Sequence, residues 1–132
     1  MEHQNIFGRI AYTSKKEELM NQPRGHETFH ITKHNDGKVT LRAHCEIEEP
    51  QPSVMRDVIL AQDKNNKPTD CFIRLTVGDE FMGSGWFRFD LDETGDGIIE
   101  CESFGPSIDR VSQIEKTNGS FHAFGTHPIV GD

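Results

Sequence analysis

Residues 26–49 read HETFHITKHNDGKVTLRAHCEIEE. Two runs, 26–33 and 38–49, flank Asp36-Gly37. That pair suits a tight turn, because glycine takes a positive φ without a Cβ clash. Each run alternates, and the alternation sorts side chains by face. In the second run Val39, Leu41, Ala43, Cys45 and Ile47 share one side, and Thr40, Arg42, His44 and Glu46 share the other. In the first, His26, Thr28 and His30 oppose Glu27, Phe29 and Ile31. The segment therefore reads as a β-hairpin with one apolar and one polar face.

Working outward, the same grammar repeats. EPQPS (49–53) connects to VMRDVILAQ (54–62), and DKNNKPTD leads to DCFIRLTV (70–77). A GDE loop precedes FMGSGWFRFDL (81–91), then ETGDG precedes GIIECESF (97–104). RVSQIEK (110–116), an Asn118-Gly119 turn and SFHAFGTH (120–127) complete the series. Eight short strands with short joints predict sequence neighbours pairing antiparallel. A further strand is read in IFGRIAY (6–12). SKKEELMNQ (14–22) reads as a short helix, with Ser14 as N-cap and Glu17 closing a capping box. The expectation is an all-β, antiparallel, single-domain meander (residues 25–127). It forms a partly open barrel or strongly curved sheet, with residues 1–24 as a strand and helical lid and 128–132 as a tail. The closing GTHPIVGD reads as a loop. Whether it meets a second copy or continues a longer protein is left open.

Composition bounds the function. The chain has 132 residues, 33% apolar, nine of them phenylalanine, and a net charge of −8. The acidic balance argues against a duplex-coating protein and against an anionic membrane surface. The three cysteines, Cys45, Cys71 and Cys101, form no C-x-x-C and fall on apolar faces, as buried free thiols do. They suggest a reducing compartment. With no signal-peptide pattern and no apolar run of spanning length, the sequence reads as cytoplasmic.

FRFDLDETGDGIIECE (87–102) resembles a calcium loop at first sight. Counted from Asp90, position 12 is Cys101; counted from Asp92, it is Ser103. Neither register supplies the bidentate glutamate, and the flanks are strand-like rather than helical. The stretch reads as a turn, which places Phe87, Phe89 and Leu91 on one face. Met82, Ser84, Trp86, Arg88 and Asp90 fall on the other.

The polar face is unusual. It carries Arg42, Arg74 and Arg88 with Trp86, Phe72 and Met82, and with His30, His44 and Glu46. Arginines and aromatics are the residues that binding surfaces favour, and an indole beside a guanidinium offers a flat wall next to a fixed charge. The leading expectation is a small hydrophobic or aromatic anion bound by Arg42, Arg74, Trp86, Arg88 and Phe72. An alternative uses His44, Glu46 and His30 for cofactor-free proton transfer of the isomerase, lyase or hydratase kind, since Glu46 and His44 point the same way along one strand. The competing interpretation is a set of cross-strand charge pairs on a wet sheet. A third function is a homodimeric structural or interaction protein.

No metal and no cofactor are assigned. Of the seven histidines, His26, His30 and His34 lie on one strand about 13 Å apart at each step, too far to share an ion. His30, His44 and His122 offer one further combination. Phosphate loops, a nucleophile elbow and an RNA-binding signature are absent. The strand meander with a polar-aromatic face, residues 25–127, resembles lipocalin-like bacterial β-barrel domains. It lacks the lipocalin G-x-W, since Trp86 is mid-chain. That resemblance implies a cavity for a hydrophobic or amphipathic small molecule, and carries over no site residue.

Overall fold

The computed structural model describes residues 2–117. They form one eight-stranded antiparallel sheet in sequence order. The strands are β1 (His3–Thr13), β2 (Pro23–His34), β3 (Val39–Ile47), β4 (Val54–Gln62), β5 (Pro68–Val77), β6 (Glu80–Leu91), β7 (Gly97–Gly105) and β8 (Ile108–Lys116). IFGRIAY is thus the body of an edge strand, β1. The strand expected at 120–127 lies outside the described residues, as does His122. No helix among the described residues is long and apolar enough to cross a membrane.

Three of the turns use one backbone recipe. In each, the first residue donates its N–H to the fifth residue's carbonyl, and the fourth residue donates back to the first. His34 and Lys38 do this at 2.8 Å, Asp63 and Lys67 at 2.8 Å, and Asp92 and Asp96 at 2.8 Å. The fourth residue has positive φ every time: Gly37 (94°), Asn66 (62°) and Gly95 (88°). Glycine and asparagine tolerate that conformation best. Asp63 and Asp92 also fold their carboxylates inward. Asp92 Oδ1 accepts from Thr94 N at 2.8 Å and Asp96 N at 3.0 Å, and Asp63 Oδ1 accepts from Asn65 N at 2.8 Å and Lys67 N at 3.0 Å. The hydrogen bond from the Thr94 side chain, with those backbone donors, holds the Asp92 carboxyl below its ordinary range. The acidic stretch that resembled a calcium loop is therefore a hairpin clamp. Between β5 and β6 the turn is tighter, with Gly78 (58°) and Asp79 (63°) both at positive φ, as a two-residue hairpin requires.

Of the expected partly open barrel or strongly curved sheet, the described residues show the antiparallel meander in one sheet, not closed into a barrel. Among the described residues, every substantial contact between elements joins strands adjacent in sequence, so β1 and β8 are the two edges of the described sheet. Closure needs strands coiled by mid-strand bulges and a staggered register. Here the register shifts occur near strand ends, at Tyr12/Thr13, Ala61/Gln62, Leu75/Thr76 and Ser103/Gly105. The shift at Leu75/Thr76 alters one face assignment. Phe81 stands opposite Thr76 and Gly83 opposite Leu75, so Met82 occupies the bulge.

The expected helix at 14–22 is a hairpin loop containing one 3₁₀ turn, Glu17–Leu19. Ser14 N donates to Gln22 O at 3.0 Å and Asn21 N donates to Ser14 O at 2.9 Å. Those bonds close the β1–β2 hairpin and engage the backbone that a capping box needs. Ser14 Oγ accepts from Lys16 N at 3.2 Å instead. A two-turn helix with no packed face has little to hold it against that closure.

The apolar face carries Ile31, Leu41, Leu60, Cys71, Phe87 and Cys101 in one cross-sheet row. No second layer covers it among the described residues, and Cys45, 6% exposed, is the one buried apolar side chain there. The expected core is therefore a half-buried face. Burial pushes the Cys45 and Cys71 thiols up, which keeps them inert. Charge enters this face at Glu27 and Arg56, both opposite Cys45. Glu27 accepts a 2.5 Å hydrogen bond from the Tyr12 hydroxyl, and this bond raises the phenol to about 12.

Candidate functional site

Register builds the other face. Directly opposed residues run Phe7, His30, Arg42, Ile59, Phe72, Trp86 from β1 to β6. This row is an interrupted apolar stripe with one guanidinium in it. Phe7 is 73% exposed, Ile59 42%, Phe72 38% and Trp86 44%. The Phe7 ring stacks on the His30 imidazole at 4.3 Å between centroids, tilted by 21°. His30 Nε2 lies 2.8 Å from Asn5 Oδ1. An amide oxygen only accepts, so that ring nitrogen carries the proton. Thr32, buried, donates its hydroxyl to the same oxygen at 2.9 Å. The network fixes the imidazole plane beneath Phe7.

A groove of about 450 Å³ opens along the β1–β4 part of this row, lined by Phe7, His30, Arg42, His44, Asp57 and Ile59 among others. Arg42 is exposed at its floor. Its guanidinium makes one long contact, 3.4 Å from Nη1 to Thr32 Oγ1. The other predicted arginines are more engaged. Arg74 donates to Thr76 Oγ1 at 3.1 Å and lies 4.7 Å over the Phe81 ring. Arg88 pairs with Glu100 at 3.7 Å. Arg74 sits one row toward the β3–β4 connection and Arg88 one row toward the β2–β3 turn. Arg42, Phe72 and Trp86 share the row, but Trp86 stands three inter-strand steps from Arg42, roughly 14 Å. The expected five-residue set therefore does not converge on one compact ligand.

The predicted proton-transfer pair is brought together, with an addition. His44 Nε2 lies 2.9 Å from Glu46 Oε1, and His44 Nδ1 lies 2.5 Å from Asp57 Oδ1. Both carboxylates accept, so both ring nitrogens donate. The Glu46 hydrogen bond first, and then that of Asp57, raise the imidazole above its ordinary value against the opposing effect of burial. His44 is thus held as a cation with both nitrogens occupied, which suits it to fixing charge rather than to accepting a substrate proton. His30 is one row away, opposite Arg42, while His44 stands opposite Thr28.

Two contributors escaped the sequence. Asp57 belongs to VMRDVILAQ, where it reads as an isolated acid until register sets it opposite His44. Phe7 belongs to β1, whose contribution depends on the long β1–β2 loop. Cross-strand pairing is the signal that would have found both.

His44 makes a pH prediction. Because its folded pKa is raised, its contribution to stability is fully present below the unfolded value near 6.5 and is lost as pH rises through the folded value. NMR titration in chelator-treated buffer is expected to show a His44 midpoint above the ordinary imidazole value. Glu46→Gln and Asp57→Asn should each move it down. A wild-type midpoint at the ordinary value contradicts the double clamp.

No family model matches the chain, and neither the curated proteins nor the solved structures supply a match.

Proposed function

We propose that the protein binds an elongated amphipathic organic anion across its polar-aromatic face. The carboxylate end pairs with Arg42, and the apolar body lies over Ile59, Phe72 and Trp86. One observation carries this reading. The least engaged of the three predicted arginines stands in the same cross-sheet row as three exposed large apolar side chains. A guanidinium matches a carboxylate in a two-pronged fashion, and an exposed apolar row gains from being covered. Phe7 and His30 wall the opposite side of Arg42 and block the head group from sliding toward β1. The sheet is open, so the ligand lies in a groove rather than in an enclosed barrel cavity.

The length of the row supplies the test. Trp86 is the only tryptophan, and its fluorescence reports the far end of the ligand. Dodecanoate is expected to shift Trp86 emission saturably, while hexanoate, too short to reach from Arg42, leaves it unchanged. Arg42→Ala should weaken dodecanoate binding about ten- to hundredfold, the range for losing a charged hydrogen-bond partner. An Arg42→Ala protein that responds as wild type would sink the reading.

A second reading concerns the opposite face, which nothing among the described residues covers. Eight strands of about nine residues present roughly 1,100 Å², more than the roughly 800 Å² per partner of a stable interface. A second copy fits this face, because Glu27 and Arg56 stand two strands apart on it and supply both signs of charge. Sedimentation velocity is expected to give a dimer, and Ile73→Asp a monomer. A wild-type monomer at high concentration removes this reading.

A further inference from the structure

We infer that His26, Glu46 and Glu48 form a binding site for a divalent transition-metal ion of the zinc class. His26 on β2 stands directly opposite Glu46 on β3. Glu48 follows two residues later on the same side, where its backbone N–H donates to Arg24 O at 2.7 Å and turns the chain along β2. One ligand atom from each of the three side chains lies within 4.8 Å of the others. His26 Nε2 is 4.0 Å from Glu46 Oε2, and His26 Nδ1 is 3.9 Å from Glu48 Oε1.

Those separations are informative. They exceed hydrogen-bond length and face different nitrogens of the His26 ring, so neither carboxylate satisfies the imidazole, and an ion would take one ring nitrogen with the other carboxylate swinging toward it. Around a zinc ion with bonds of about 2.0–2.2 Å, ligand atoms sit roughly 3.0–3.5 Å apart. With one atom from each residue within 4.8 Å of the others, closure of about 1–2 Å, within the reach of side-chain rotation, forms three ligands on one side of an ion. Water completes the shell from the open side.

The surroundings favour an ion in two further ways. Neither Glu46 nor Glu48 has a lysine or arginine ion-pair partner among the described residues; the side chains that face them are the His26 and His44 imidazoles. His44 offsets only part of the charge of Glu46, Asp57 and Glu48, and an added cation would neutralise the remainder. Glu46 is also oriented from behind. Its Oε1 is held by His44 Nε2 at 2.9 Å, and His44 is held in turn by Asp57. Hydrogen-bonded outer partners of this kind aim metal-binding carboxylates. One nitrogen with two carboxylates suits zinc or manganese better than calcium or magnesium, which prefer oxygen alone. Spacing along a single strand had spread His26, His30 and His34 too far apart for a shared ion. The site instead draws on two neighbouring strands.

The site lies two rows from Arg42 along β3, so its failure and the failure of the anion reading are separable. The test is calorimetric titration of zinc chloride into the chelator-stripped full chain. One saturable zinc per chain is expected, with no saturable heat from calcium or magnesium. His26→Ala and Glu48→Gln should each weaken zinc binding at least tenfold with the far-ultraviolet circular dichroism unchanged, and His34→Ala should leave it intact. In NMR, zinc should perturb the His26 ring before the other histidines. Absence of saturable binding overturns the site, as does wild-type affinity in both folded variants.

Discussion

A residue at positive φ in the fourth position of a five-residue turn sets the register of three hairpins, and with it the side-chain rows that cross the sheet. Gly37, Asn66 and Gly95 occupy that position. Each turn closes with the same pair of backbone hydrogen bonds. A strand alternates with period two, so a turn longer or shorter by one residue would send every following side chain to the other face. Trp86 shares a face with Arg42 because the three joints between β3 and β6, the Asn66 turn among them, keep count. The Asp63 and Asp92 carboxylates reinforce the β4–β5 and β6–β7 turns by capturing the free amides inside them.

How much was legible in the sequence follows from which forces are local. Turn chemistry is local, so Asp36-Gly37, the DKNNK segment and the DETGD segment mark hairpins on their own. The faces of β3 and β5 follow from alternation alone. Three features needed contacts remote in sequence. Ser14 and Glu17 satisfy a capping pattern, but Ser14 spends its backbone on Gln22 and Asn21 across the β1–β2 loop. Closure into a barrel depends on coiling accumulated over the sheet, which no single strand encodes. The role of His44 depended on Asp57, which sits thirteen residues away and meets it only through the β3–β4 register.

An open single sheet also explains the character of the polar face. Each inward-facing position of a closed barrel is enclosed by the far wall. Here, among the described residues, most side chains on both faces are half-buried or exposed, and selectivity must come from neighbours within a row. Phe7 stacked on His30, with Asn5 and Thr32 behind them, provides one rigid wall. Ile59, Phe72 and Trp86 provide a strip. Arg42 lies between the wall and the strip. The carboxylates Glu46 and Asp57 are held by His44, so Arg42 marks one part of the face and the Glu46–Glu48 acids another. The two proposed sites occupy those two parts, one suited to an anion and the other to a cation.

The account rests on one open meander in the stated register, and cross-strand proton contacts test that most directly. A NOESY spectrum of the full chain is expected to connect the backbone of His30 with Arg42, Arg42 with Ile59, Ile59 with Phe72, and Phe72 with Trp86, and to show no contacts between β1 and β8. Contacts from Arg42 to Leu60 in place of Ile59, or any ladder joining β1 to β8, would contradict it.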